Sequence, residues 1–132
     1  MLAAGVKPLG LTPAWAEVIT VLDKREPLTI RELGTLLVCE GDHPSRLVSR
    51  MITAGLLTTE ALPGDDRARL LRLTQTARDL LPRLQQIEDQ FHTAIEERFD
   101  PSAIDACRVL LGDFVAGLPA GEALQHRSRG LP

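Results

Sequence analysis

Apolar side chains recur at helical spacing from early in the chain. Trp15, Val18, Ile19 and Leu22 stand at i, i+3, i+4 and i+7, one stripe of a helix. Thr12 and Pro13 supply an N-cap and a first-turn proline whose missing N–H is not needed there, so a helix over 13–23 is predicted. Pro27 closes the turn that follows. Thr29 and Glu32 then form a T-x-x-E capping box, predicting a helix over 30–38 with Ile30, Leu33, Leu36 and Leu37 facing inward and Gly41 ending it. A third helix is expected to start at Asp42 or His43 as N-cap, with Pro44 in its first turn and Gly55 as its left-handed C-terminal cap. Its inward stripe is Leu47, Val48, Met51 and Ile52, which leaves Ser45, Arg46, Ser49, Arg50 and Thr53 outside.

After Gly55 the period changes. Residues 57–62 and 69–73 read as strands, with Leu71 and Leu73 alternating against Arg72, and Pro63, Gly64, Asp65 and Asp66 between them read as a turn. Three short helices followed by a β-hairpin predict a winged helix-turn-helix unit. From Thr74 the period is helical for about 25 residues. Leu80, Leu84, Ile87, Phe91 and Ile95 form its stripe, Leu81 and Phe99 widen it, and Pro82 is expected to kink or break it. Asp100 and Pro101 open another helix to about Ala116, with Ile104, Cys107, Leu110, Leu111 and Phe114 on one face. The remaining tail shows no period and is expected to be mobile.

The fold class expected is therefore mainly α with a small β-hairpin. Its parts are a winged helix over 11–74, C-terminal dimerisation helices over 75–117 and a flexible tail over 118–132. The two long helices carry more apolar surface than the small winged unit can cover. A two-fold symmetric homodimer buries it economically, with Leu80, Leu84, Ile87, Phe91, Ile95, Ile104, Leu111 and Phe114 at the interface. Such a dimer also places two third helices about one DNA turn apart.

Composition bounds the function. The 132 residues, 44% hydrophobic and 25% charged, suit one compact body. No apolar run reaches the roughly 18 residues of a membrane span, and the N-terminus lacks the build of a secretion signal, so a cytoplasmic protein without membrane contact is expected. Cys39 and Cys107 stand in no CxxC pairing and are expected to be buried thiols. Cys39, Glu40, Asp42 and His43 lack the spacing of a metal site, and no cofactor is expected. Phosphate-binding loops, nucleophile elbows and H-E-x-x-H pairs are missing, which argues against an enzyme. The net charge is −3, yet residues 42–72 carry five arginines against four carboxylates, the only net-positive third of the chain. Arginine suits bidentate contacts to phosphates and guanine edges.

These parts, in this order, resemble the MarR family of winged-helix transcription regulators. The family's wing pattern D-x-R followed by L-x-L-T reads here as Asp65, Arg67, Leu71, Leu73 and Thr74. "SRLVSRMITAGLL" over residues 45–57 is similar to the family's third helix, S-R-L-V-x-R-L-x-x-x-G-L-V. The resemblance covers roughly residues 11–116 and implies a homodimer that binds double-stranded DNA, as a repressor, at a palindromic operator. It implies that Ser45, Arg46, Ser49 and Arg50 face the major groove and its phosphates, and that Arg67 enters the minor groove with Asp65 orienting its guanidinium. Arg69 and Arg72 are either phosphate contacts or the solvent side of a strand. The chain departs from the family in Ala77, where glycine is common, in Thr59, where arginine is common, and in the short stretch before Thr12, where a long dimerising helix is usual.

A small aromatic effector is a further candidate partner, in a cleft between Trp15 and the C-terminal helices. Cys39 is a candidate redox sensor, and His92 is expected at the dimer interface or the surface. The rival reading is a winged-helix module that binds another protein and has lost DNA contact.

Overall fold

The computed structural model describes residues 2–39 and 43–129. Its elements run α1 (Leu2–Val6), a single 3-10 turn, α2 (Pro13–Arg25), β1 (Leu28–Thr29), α3 (Ile30–Leu36), α4 (Pro44–Thr53), β2 (Leu57–Leu62), β3 (Asp65–Leu73), α5 (Gln75–Arg98), α6 (Pro101–Val115) and α7 (Pro119–Arg129). This is a mainly helical winged helix with one small antiparallel sheet.

Local chemistry starts several of these helices. The Thr12 hydroxyl accepts the Trp15 N–H at 3.2 Å, and the Thr29–Glu32 capping box is complete in both directions. Asp100 caps α6 by accepting the Ser102 N–H at 3.1 Å. His43 is the N-cap residue of α4 without a side-chain cap bond, whereas Asp42, the other expected cap, and Gly41 lie outside the described residues. Gly55 follows the end of α4 with φ 76°, a left-handed conformation that a Cβ would strain.

The core is made where α2, α3, α4 and the sheet meet. Ile19, Leu22, Leu33, Met51 and Leu71 are its largest fully buried side chains. Burying each contributes roughly 1.5–3 kcal/mol. In the sheet, strand order is β1, β3, β2, with Leu28 opposite Leu71 and Leu57 opposite Leu73. The two-residue β1 was not legible in the sequence, because a strand so short exists only through its partner β3.

The structure adds to or corrects the expectations at several places. The tail expected to be mobile is helical over Pro119–Arg129, with Gly121 and Ala123 buried and α3 as its neighbour. The short N-terminal stretch packs on α5, with Val6 buried and Gly5 so close to Ile87 that an added Cβ would lie 2.9 Å from its Cγ2. Of the kink or break expected at Pro82, the break does not occur, since α5 runs as one helix from Gln75 to Arg98. Ile52, expected inward, is 40% exposed. Both cysteines are exposed rather than buried.

The apolar stripe of α5 also divides. Leu84 is buried in the chain's own core, and Leu80, Leu81 and Ile87 pack against it. Three residues expected at a dimer interface, Leu80, Leu84 and Ile87, therefore pack wholly or in part within the chain itself. Phe91, Ile95 and Ile104 are half-buried. Leu111, Phe114, Leu110, Val109 and Phe99 are exposed, and α6 has no buried residue at all.

Candidate nucleic-acid interface

The inner side of α4 is buried through Leu47, Val48 and Met51. Spacing then dictates the rest: Ser45, Arg46, Ser49 and Arg50 fall on the opposite side and are all exposed. Thr53 is tied back to the helix by donating its hydroxyl to the Ser49 carbonyl at 3.1 Å.

The wing is β2, the Pro63-Gly64 turn and β3. Strand β3 begins at Asp65, four residues earlier than expected, and is interrupted by a bulge. Ala61 pairs with Arg69 while Leu62 pairs with Asp65, so residues 66–68 have no counterpart on β2. Such a bulge leaves backbone donors without a ladder partner. The Asp65 carboxylate takes them up, accepting the N–H of Arg67 at 3.0 Å and of Ala68 at 3.3 Å. Asp65 thus acts on Arg67 through the main chain, and not on the guanidinium as the resemblance implied. Arg67 and Arg69 both project from the wing as exposed side chains.

Arg72 is placed differently. It forms an ion pair with Glu60 at 2.9 Å across the hairpin, both groups near half exposed, so it belongs to the solvent side of the sheet. None of the ion pairs among the described residues involves Arg46, Arg50, Arg67 or Arg69. Among the described residues, four cations on two neighbouring elements are therefore uncommitted to a carboxylate, which is the arrangement a phosphate backbone can use.

Two glutamates on the first helix of the winged unit, neither singled out by the sequence, hold these elements. Glu26 caps the end of α2, accepts the Leu73 N–H at 2.8 Å and pairs with Arg78 of α5, fixing the base of the wing. Glu17 accepts the N–H of Val38 at 2.7 Å and of Cys39 at 2.9 Å, in the turn that leads to α4, and pairs with Arg127 of α7. Burial works against both charges. The backbone donors and the arginines outweigh it, so both carboxyls titrate below the ordinary glutamate value of 4.5.

A cavity of about 230 Å³ lies beside Glu17 and Arg127, walled by Val6, Pro13, Ala16, Leu84 and Ile87. Trp15 packs against the core. His92 is exposed. Among the described residues no group of three His, Cys, Asp or Glu could hold a metal, and no helix is long and apolar enough to cross a membrane. Glu40 and Asp42 lie outside those residues.

A helix-turn-helix followed by a hairpin wing, with exposed arginines on both, defines a winged-helix protein of the kind that transcription regulators use. The sequence profile of the MarR family matches residues 9–68. Among solved structures, a cysteine-to-serine mutant of MarR from E. coli complexed with operator DNA is 21% identical, with a TM-score of 0.76 over 86% of this chain and 82% of that one. The transcriptional repressor CouR bound to a 23-mer DNA duplex is 24% identical, with a TM-score of 0.70 over 86% and 81% of the two chains. A MarR transcriptional regulator from Methanosarcina mazei is 17% identical, with a TM-score of 0.72 over 89% and 85%. No curated protein matches the chain. The family's profile thus falls on the winged unit, and solved structures of the family share the fold over most of the chain's length.

Proposed function

We propose that the protein is a homodimeric, sequence-specific DNA-binding transcription regulator that acts as a repressor at a palindromic operator. The observation that carries this reading is the shared exposure of Ser45, Arg46, Ser49 and Arg50 on the outer side of α4 and of Arg67 and Arg69 on the adjacent wing. Helix α4 reads major-groove edges, with Arg46 and Arg50 as bidentate donors to guanine or phosphate. The wing reaches the flanking minor groove, where a narrow A/T-rich stretch attracts Arg67. Asp65 holds the bulge that presents it.

The dimer is formed by the exposed apolar side of α6 with Phe99, Leu111 and Phe114, joined by the half-buried Phe91, Ile95 and Ile104. A small aromatic effector entering the cavity beside Glu17 releases DNA if it favours one spacing of the two recognition helices over the other.

Salt dependence tests the reading. Each arginine on a phosphate contributes about −0.9 to the slope of log K against log salt, so the slope lies between zero and about −3.6 per protomer and is steeper the more of the four meet phosphates rather than bases. A flat dependence, with binding to another protein instead, would make the chain an interaction module.

A further inference from the structure

We propose that Arg127, near the end of α7, is a positioning residue for DNA recognition that couples the C-terminal arm to the recognition helix. This rests on the DNA-binding reading above.

The connection is short and directional. Helix α7 lies against α3, the second helix of the winged unit. The Arg127 guanidinium donates from Nε to the Leu36 carbonyl, the last residue of α3, at 2.6 Å, and pairs through its other arm with Glu17. The same Glu17 carboxylate accepts the N–H groups of Val38 and Cys39. One arginine therefore touches both groups that fix where α3 ends and how the chain leaves toward α4. In return, Arg25 of α2 donates to the Arg127 and His126 carbonyls at the end of α7. That exchange sets a cation against the negative end of the helix dipole.

The other end of α7 is equally constrained. The turn from α6 passes through Gly117 at φ 80°, and Gly121 sits so near α6 that an added Cβ would lie 2.0 Å from the Val115 carbonyl oxygen. Helices α6 and α7 are thus packed corner to corner, and a displacement of α6 carries Arg127 with it. The arm that dimerises and the turn that aims α4 are two ends of one clasp. Arg127 contacts no groove-facing residue, so its effect on DNA runs through Glu17 and Leu36.

The experiment uses the full chain, the duplex enriched from a random pool and an unrelated duplex of equal length. Arg127→Met should weaken binding to the enriched duplex by roughly 3- to 30-fold, the range for residues that couple sites without touching ligand. Binding to the unrelated duplex and the salt slope should not change. Glu17→Gln should behave alike, and the double variant should be no worse than either single one. Arg127→Lys keeps the charge toward Glu17 but loses the fork to Leu36, and should fall between; it carries the test where Arg127→Met fails to fold. Amide exchange at Val38 and Cys39, read by NMR without DNA, should quicken in Arg127→Met.

Equal loss on both duplexes with a shallower salt slope would make Arg127 a phosphate contact and overturn the assignment. Selective binding that is the same in the wild type and in Arg127→Met would overturn it too. A wild-type chain that prefers no duplex overturns the DNA-binding reading, and the positioning role with it, whatever the amide exchange shows of the clasp.

Discussion

Two charge insertions on the C-terminal helices have opposite expected outcomes, because the structure buries one target and exposes the other. Leu84 is 4% exposed in the protomer's own core, whereas Phe114 on α6 is 78% exposed. A phenylalanine presents ~200 Å² in all, so Phe114 leaves ~150 Å² for a partner to cover. At ~25 cal/mol/Å² full burial is worth about 4 kcal/mol per copy. Two-fold symmetry doubles the figure, and an interface covering half of that area brings it back to about 4 kcal/mol for the dimer. Phe114→Glu should therefore weaken the proposed dimer by about 10³-fold, at 1.4 kcal/mol per factor of ten, with the fold intact. Leu84→Glu instead buries an unpaired carboxylate, whose penalty of several kcal/mol rivals the 5–15 kcal/mol that holds a domain folded. Light scattering across a concentration series, with circular dichroism melts of the same samples, separates the two. Phe114→Glu should give folded monomers and Leu84→Glu an unfolded or strongly destabilised chain. A Phe114→Glu protein that stays dimeric at wild-type concentrations would move the interface off α6. A Leu84→Glu protein that melts like the wild type would refute the division of the α5 stripe.

Three further outcomes follow from the same geometry. Arg67→Ala should leave the melting temperature unchanged, weaken duplex binding and make the salt slope shallower by about one unit; unchanged affinity at moderate salt would remove the wing from the mechanism. Glu17 and Glu26 are held below their ordinary value of 4.5, so the stability they contribute is fully present above pH 4.5 and is lost as pH falls through their lower folded values. The wild type should accordingly lose melting temperature more steeply below pH 4.5 than a Glu17→Gln, Glu26→Gln variant, and parallel curves would show that neither carboxylate acts as described. Gly121→Ala should force α6 and α7 apart and destabilise the protein by about 1–3 kcal/mol, read in a urea melt; a neutral result would mean that the corner has room.

What the sequence made legible was what neighbours along the chain decide. Thr12 with Pro13, Thr29 with Glu32, and Asp100 with Pro101 each place a helix start within one turn, and all three helices begin there. The exposed side of α4 was legible for the same reason, since Leu47, Val48 and Met51 fix which residues remain outside. Periodicity cannot say which body covers a stripe, and so Leu84 and Phe114 looked alike although one faces its own core and the other faces solvent. Nor can it show a helix held by distant contacts. Helix α7 has few apolar positions and is fastened through Arg127, 110 residues away from Glu17 in the chain. Glu17 and Glu26 carry no local signal as scaffolding residues, because their partners Val38 and Leu73 are brought to them only by folding.

The central claim is that two copies of α4 and its wing read a symmetric DNA sequence. Selection of bound duplexes from a random pool by the full chain tests it most directly. Enrichment of a palindrome with half-sites one helical turn apart, centre to centre, is the expected result. A pool that remains random after repeated selection, at salt low enough for arginine–phosphate contacts to form, would contradict it.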